Sequence, residues 1–317
     1  MATIQQYGGA PAACRAVVVG AVESTAIAIE EIAAHAGWTL PLIVTLAEDL
    51  SGRHSDFVNL APLAARAGAK LLQVERGNDP HVIAAIAEAR PDYIFVIGWS
   101  QLCGPDFLTL TPEKVIGYHP APIPRLRGRA PIPWTILLNE PISASTLFWV
   151  NEQADSGAIL AQDFFHVARE ETAQSLYDKH MVRLREMMRR SLDPLAKGTG
   201  QRLPQDETYA TWATRRVPAD GLIDWRMSAD DIARLVRAVG RPYPGAFTQC
   251  RGKTLRIWSA RNLGHDVRMH AMPAQVLSDG GREVVVQTGD GLLRLDEWEL
   301  DGGGIPSNHA LLGERRG

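Results

Sequence analysis

The sequence predicts an α/β protein followed by a smaller β domain, and three observations carry that reading. Over the first hundred residues, short β-rich runs alternate with helical stretches. Periodicity fades between Lys197 and Asp220, where Gly198, Gly200, Pro204 and Pro218 gather. Beyond that stretch, several short strands follow at close spacing, separated by turn residues. Strand and helix alternating in this way point to successive βαβ units and a mostly parallel sheet. A polar stretch rich in glycine and proline reads as a linker. A chain of 317 residues is long for one core and suits two domains, here 1–200 and 201–317.

The strand-like runs of the first part are Ala16–Gly20, Pro41–Leu46, Lys70–Val74 and Tyr93–Gly98, and the helical stretches are Glu23–Ala34, Leu60–Ala67 and Pro80–Ala89. Open sheets of this kind bind ligands beyond the carboxyl ends of their strands, where strand order reverses, so residues just after Gly98 and Ile116 are site candidates. Gly20 closes the first run, but GAVESTAI follows it and lacks the GxGxxG of a dinucleotide site. Ser24 or Thr25 is expected to cap the helix there instead. A helix is then expected over Ile132–Leu138, with strands over Ala144–Val150 and Ala158–Val167. After the linker, Ser228 caps a helix reaching Val239, with Ile232, Leu235, Val236 and Val239 on one face. Strands are expected near Ala246–Cys250, Thr254–Ala260, Ala274–Leu277, Glu283–Thr288 and Leu292–Leu300, with turns at Asp279-Gly280-Gly281 and Asp290-Gly291. A small barrel or sandwich accommodates them, and the glycine-rich tail beyond Asp301 is expected to be mobile.

Composition excludes several classes. Hydrophobic residues make up 45% and charged residues 22%, ordinary values for a globular chain with a sizeable core. Apolar runs such as Ala16–Val22 fall far short of the roughly 20 residues that span a bilayer, and the N-terminus lacks the pattern of a secretory leader. A cytoplasmic protein without a membrane segment is expected. Cys14, Cys103 and Cys250 are odd in number and widely spaced, so they read as reduced thiols, with neither a disulfide framework nor a thiolate metal site. The net charge of −3 supplies no strong positive field, and a large nucleic-acid partner is disfavoured.

The chemistry concentrates in VIGYHPAPIPRLRGRAPIP, residues 115–133. Its five prolines make a stiff loop after a strand end, where a sheet presents ligands to His119. A lone histidine is more often structural. Asp155, in NEQADSGAILAQ, stands in a polar loop before the next strand, and Asp-Ser-Gly is by itself a good turn. Each residue alone takes the ordinary reading.

Together they do not. The segment GYHPAPIPRLRGRAPIPWTILLNEPISASTLFWVNEQADSGAILAQ resembles the signature of formyltransferases that use 10-formyltetrahydrofolate: Asn-x-His, a proline loop ending in RxRG, Ala-Pro-Ile, and a later Asp-x-Gly. His119, Arg125, Arg127, Gly128, Ala130, Pro131, Ile132, Asp155 and Gly157 match in register. DGLIDW at Asp220–Trp225 and VRAVGRPYPGAF at Val236–Phe247 resemble the appended C-terminal domain of longer members. The resemblance implies a Rossmann-like first domain and an OB-like β-barrel second domain.

It also implies a chemistry. An amine attacks the formyl carbon, an oxyanion develops and the folate nitrogen leaves. His119 would stabilise the intermediate or move its proton, and Asp155 would orient it and help deprotonate the amine. The folate pocket would be lined by Gly98, Trp99, Ser100, Leu102, Val150 and Asp155, although Trp99 could equally be plain core. One of Arg125 and Arg127 would meet a phosphate of the acceptor; the alternative, favoured for Arg127, is that they hold the loop by bonding backbone carbonyls. No metal is implied. The chain departs from the pattern at Gly117, where the family carries the asparagine that donates to the oxyanion. A freed backbone amide, a water, or Ser100, Gln101 or Asn151 are candidate substitutes. The implied acceptor is a small-molecule amine on a sugar nucleotide. Methionyl-tRNA, simple hydrolysis of the formyl-folate, and a folate-binding protein that has lost catalysis are the alternatives. The C-terminal barrel offers surface for a homodimer.

Overall fold

The structure is a computed structural model that describes residues 13–53, 55–264, 270–277 and 283–313. It divides into two compact units, one of Met1–His119, Ser145–Asp163 and Met181–Asp206, the other of Pro120–Ala144, Phe164–His180 and Glu207–Gly317.

The sheet of the first part begins β1 (Cys14–Val19), α1 (Glu23–Ala34), β2 (Trp38–Leu46), α2 (Ala61–Ala67), β3 (Lys70–Val74), α3 (Pro80–Ala89) and β4 (Tyr93–Val96). It continues through α4 (Pro105–Leu108), β5 (Val115–His119), β6 (Arg127–Gly128), α5 (Pro131–Leu137), β7 (Ile142–Trp149), β8 (Ile159–His166) and α6 (Ala173–Ala196). Seven strands are ordered β3-β2-β1-β4-β5-β7-β8, with parallel pairing from β3 through β5 and an antiparallel β5–β7 pair. This is the Rossmann-like α/β sheet expected. Strands β1, β2 and β4 read as near-continuous apolar runs because a sheet covered on both faces leaves no polar side. Val17, Val19, Leu42, Val44, Ile94 and Val96 meet Val82 and Ile86 of α3 in one core.

The order reverses between β1 and β4, and there the strand ends are pinned together. Thr25 Oγ1 donates to Ile97 O at 2.6 Å and accepts from the Val22 N–H at 3.2 Å. The N-cap of α1 is therefore Val22, not Ser24 or Thr25; Thr25, one turn inside, supplies the reciprocal hydrogen bond. Gly20 and Gly98 are required by this closeness. A Cβ on Gly20 would stand 1.9 Å from Ile97 O, and one on Gly98 2.3 Å from Val22 Cγ2.

Helix α6 lies outside the expected elements. Its C-terminal half is bound to the sheet unit by Arg185 and Arg189, both paired with Glu31 of α1. Trp38 Nε1 and the Tyr93 hydroxyl donate to the carbonyls of Leu192 and Leu195.

The linker stretch is also more structured than its composition implies. It contains β9 (Trp212–Ala213), paired in parallel with β6. Beyond it, α7 (Ala229–Val239) is capped by Ser228 as expected, with the hydroxyl accepting from the Asp231 N–H at 3.1 Å. Strands β10 (Ala246–Cys250), β11 (Lys253–Gly264), β12 (Val284–Gln287) and β13 (Leu292–Leu300) form an antiparallel sheet ordered β10-β11-β13-β12, the OB-like β domain. Three register shifts between β11 and β13 bend it.

Two expectations in this domain need correction, and one cannot be compared. Ala274–Leu277 forms no strand, only isolated bridges from Gln275 to Leu311 and from Val276 to Val286. The tail is fastened rather than loose up to Gly313, with the N–H groups of His309 and Leu312 donating to the carbonyls of Val276 and Ala274. The turn expected at Asp279-Gly280-Gly281 lies outside the described residues.

Candidate active site

His119 is the last residue of β5. Ladder pairing sets it opposite Thr146 of β7, and Gly117 opposite Phe148. Since side chains alternate along a strand, Gly117 and His119 share a face with Phe148 and Thr146. The His119 ring is buried, and its Nδ1 stands 3.6 Å from Oδ2 of Asp155. That separation is in ion-pair range and slightly long for a hydrogen bond, a common state of catalytic contacts before a ligand tightens them.

Asp155 reaches this position through a strained and closely fitted loop. Its backbone is left-handed at φ 52°, a region that aspartate tolerates better than most residues. Two residues on, Gly157 passes so near β7 that a Cβ would meet Trp149 O at 1.6 Å. The Gln205 amide donates to the carbonyls of both Asp155 and Gly157, at 2.8 and 2.6 Å. Asn151 Oδ1 accepts from the Gln153 N–H and the Ser156 hydroxyl. Glycine, amide and turn together fix the backbone while none of these bonds uses the Asp155 carboxylate.

At Gly117 the space for a side chain is already filled. A Cβ there would lie 2.7 Å from Phe148 Cζ and 3.0 Å from Val150 Cγ2. Glycine and the phenyl ring are thus a matched small–large pair across two strands, and an asparagine cannot enter without displacing the ring. The Gly117 backbone is in the ladder with Val96 on one side and Phe148 on the other. The Gln101 amide is engaged at both ends, donating to Glu75 O and accepting from the Gly77 N–H. Asn151 retains its amide NH₂ as a donor.

Gly98, Trp99, Ser100 and Leu102 follow β4 on one loop. It is clipped to the loop after β3 by Gln101 and by Asn78, which donates to Leu102 O and accepts from the Gly104 N–H. Gly98 has φ +71°. Trp99 packs against the core and Gly77, whereas Ser100 is exposed and Leu102 is 67% exposed, an apolar side chain held in the open. Val150 packs on the same core, its N–H donating to Val115 O. Cys103, on this loop, is no nucleophile, because burial pushes its thiol up to about 12.

Arg125 and Arg127 belong to the second unit. Arg125 is half-exposed and pairs with Glu140. Arg127 is 1% exposed, and its Nη1 and Nη2 bind both oxygens of Glu207 at 2.9 and 2.6 Å. Its guanidinium also lies over the Trp212 ring, 5.8 Å from the centroid, while the β6–β9 pairing fixes its backbone. The Arg127 fork is therefore spent inside the protein, in the loop-holding role. Glu207, Gln205 and Phe148 were not singled out by sequence: each acts on a partner 31 to 80 residues away. The triplet Gln205-Asp206-Glu207, polar in the middle of a supposed linker, is the one local signal that could have drawn attention.

Among the described residues no group of three or more His, Cys, Asp or Glu is arranged to hold a metal. No described helix is long and apolar enough to cross a membrane.

The fold is shared with solved formyltransferases. WlaRD, a sugar 3N-formyl transferase determined in the presence of dTDP and 5-N-formyl-THF, is 14% identical. The match covers 89% of this chain and 97% of that one with a TM-score of 0.66. The N-formyltransferase from Helicobacter canadensis, complexed with folinic acid and dTDP-3-aminofucose, is 15% identical over 89% and 98%, also with a TM-score of 0.66. HypX from Aquifex aeolicus is 18% identical, with 90% of this chain matching 46% of that one at 0.63. The chain therefore spans less than half of HypX and nearly all of the two sugar enzymes. The sequence profile of the formyl transferase family matches residues 26–191, and that of the formyl transferase C-terminal domain matches residues 216–313. Carrying both, the chain belongs to the formyl transferase family and is an enzyme of that class.

Proposed function

We propose that this chain transfers a formyl group from 10-formyltetrahydrofolate to the primary amine of an amino-sugar nucleotide, with His119 and Asp155 at the reaction centre. The observation that carries this reading is the 3.6 Å approach of the buried His119 imidazole to the Asp155 carboxylate, on a loop whose backbone the Gln205 amide holds. A carboxylate at Nδ1 favours the proton there and makes Nε2 the nitrogen that faces a reacting group. His119 then holds or returns a proton as the tetrahedral centre forms and collapses, and Asp155 orients the ring and draws the proton from the attacking amine. The oxyanion is assigned to the Asn151 amide, whose Oδ1 is engaged in its own turn while its NH₂ is left to donate. Loss of one oxyanion donor costs about 10²–10³ in rate elsewhere, so some such group is needed.

The loop after β4 suits a folate. Exposed Leu102 and Ser100 offer an apolar wall beside a hydroxyl, and Gly98, Trp99, Val150 and Asp155 complete the assignment. Catalysis is assigned to 1–200 and the β domain to 201–317. Arg125, paired with Glu140 at the surface, is the better placed of the two arginines to meet an acceptor phosphate. The two sugar enzymes matched over nearly their whole length, each determined with a dTDP ligand and a formylated folate, favour a sugar nucleotide over tRNA. The near-neutral charge agrees.

The test is release of tetrahydrofolate on mixing the protein with 10-formyltetrahydrofolate and a panel of dTDP- and UDP-linked amino sugars, beside methionyl-tRNA and a blank without amine. Turnover with one amino sugar is expected. Turnover with methionyl-tRNA alone, or in the blank, would replace the acceptor assignment.

A further inference from the structure

The second unit contains a cavity of about 220 Å³ that includes neither His119 nor Asp155, lined by Asn139, Glu140, His166, Arg169, Glu171 and Arg237 among others. Its charges are unevenly committed. Glu140 is paired with Arg125. Glu171 is held by Lys179, by the Ser175 hydroxyl and by the Ala168 N–H. Arg169 is 78% exposed and has only a 4.0 Å approach to Asp230. Arg237, in the last turn of α7, makes no ion pair or hydrogen bond among the described residues, and its Nε is fully enclosed with no acceptor. The other charged groups near it are Glu170, Arg234, Arg169 and Asp230, and Arg234 is itself tied to Asp231.

The Arg237 Nε–H is cut off from water without an acceptor, a costly state, while its Nη groups are not enclosed and are open to the cavity that Arg237 lines. Burial accordingly holds the Arg237 pKa below the usual guanidinium value. The ligand that suits those Nη groups is an anion small enough for the cavity and able to accept from two parallel N–H groups.

We propose that this cavity is a phosphate-binding site, in which Arg237 supplies the inner Nη groups and Arg169 the exposed outer cation, with Asn139 at its wall. The ligand is a phosphate group, either free or at the end of a small metabolite. The site does not depend on the formyl-transfer reading.

Isothermal titration of the intact protein with potassium phosphate, against potassium chloride and acetate at equal ionic strength, tests it. Saturable binding of phosphate is expected, weakened at least tenfold by Arg237→Gln, partly restored in Arg237→Lys and weakened less by Arg169→Gln. The last change lies at the surface and keeps the test sound if Arg237→Gln folds poorly. Competition with thymidine diphosphate separates the sources: displacement of phosphate puts the group on a nucleotide, and independent binding leaves free phosphate as the ligand. Absence of saturable phosphate binding, or equal affinity in wild type, Arg237→Gln and Arg169→Gln, would overturn the proposal.

Discussion

Asp155 lies on the loop after β7 and Arg127 opens β6 at the end of the loop after β5, and the two loops are held in opposite ways. Around Arg127 the charge is itself the fastening: a guanidinium 1% exposed grips both oxygens of Glu207 while β6 pairs with β9. Around Asp155 the fastening is neutral, from the Gln205 amide, the turn centred on Asn151 and the close passage of Gly157 under Trp149. The Asp155 carboxylate stands 3.6 Å from His119 Nδ1. A loop that must only hold its shape can consume its charges, whereas a loop that must present a charge has to be held by something else.

Substitutions that separate shape from charge sharpen this contrast. The largest effect is expected for Asp155→Asn, which keeps size and removes charge: turnover should fall by about 10²–10⁴ while folate affinity and melting temperature hold, measured by tetrahydrofolate release and calorimetry. Gly157→Ala attacks the neutral fastening. Its methyl would meet Trp149 O at 1.6 Å, so the loop must move, with an expected cost of about 1–3 kcal/mol in stability and roughly 10² in turnover. Gln205→Met keeps length and removes two hydrogen bonds. Turnover about tenfold lower is expected, with a stability loss of at most about 2 kcal/mol, since such bonds contribute about 1 kcal/mol each. At the other loop the order inverts. Arg127→Met should cost about 2 kcal/mol in denaturant titrations, below the usual figure for a broken buried pair because Glu207 is 65% exposed and regains water. Folded protein should retain turnover. Arg125→Ala, which breaks a pair at the surface, should cost under about 1 kcal/mol. A loss of stability in Asp155→Asn as large as that in Arg127→Met would break the comparison.

The same contrast separates what was legible in the sequence from what was not. Local signals carried far: alternation set out β1 through β4, the prolines placed the loop after β5, Ser228 capped α7, and the His119 and Asp155 motifs stood in register. Pairings across long separations left no local trace. Phe148 fills the place of a side chain at Gly117 only because β5 and β7 are antiparallel neighbours with those two residues opposed. The glycine alone read as a missing donor rather than as half of a packed pair. Glu207 sits in a stretch whose glycines and prolines mark a linker, yet its carboxylate closes on an arginine 80 residues earlier. Helix α6 was legible in principle, since Leu176, Met181, Leu184, Met188, Leu192 and Leu195 are all buried at spacings of three to five residues. Its dense charges on the remaining positions, and Pro194 in its last turn, masked that pattern. At α1 the bounds Glu23–Ala34 were legible, but the cap was not, because Thr25 spends its hydroxyl on a tertiary bond to Ile97 O and Val22 takes the N-cap position.

The central claim is that His119, set by Asp155, carries the reaction rather than the binding of folate. It is tested most directly by measuring, on one preparation of His119→Ala, both turnover with 10-formyltetrahydrofolate and the acceptor found by the panel and affinity for 5-formyltetrahydrofolate by titration. Turnover reduced by about 10²–10⁴ with folate affinity unchanged is the predicted result. Turnover retained at the wild-type level would contradict the account.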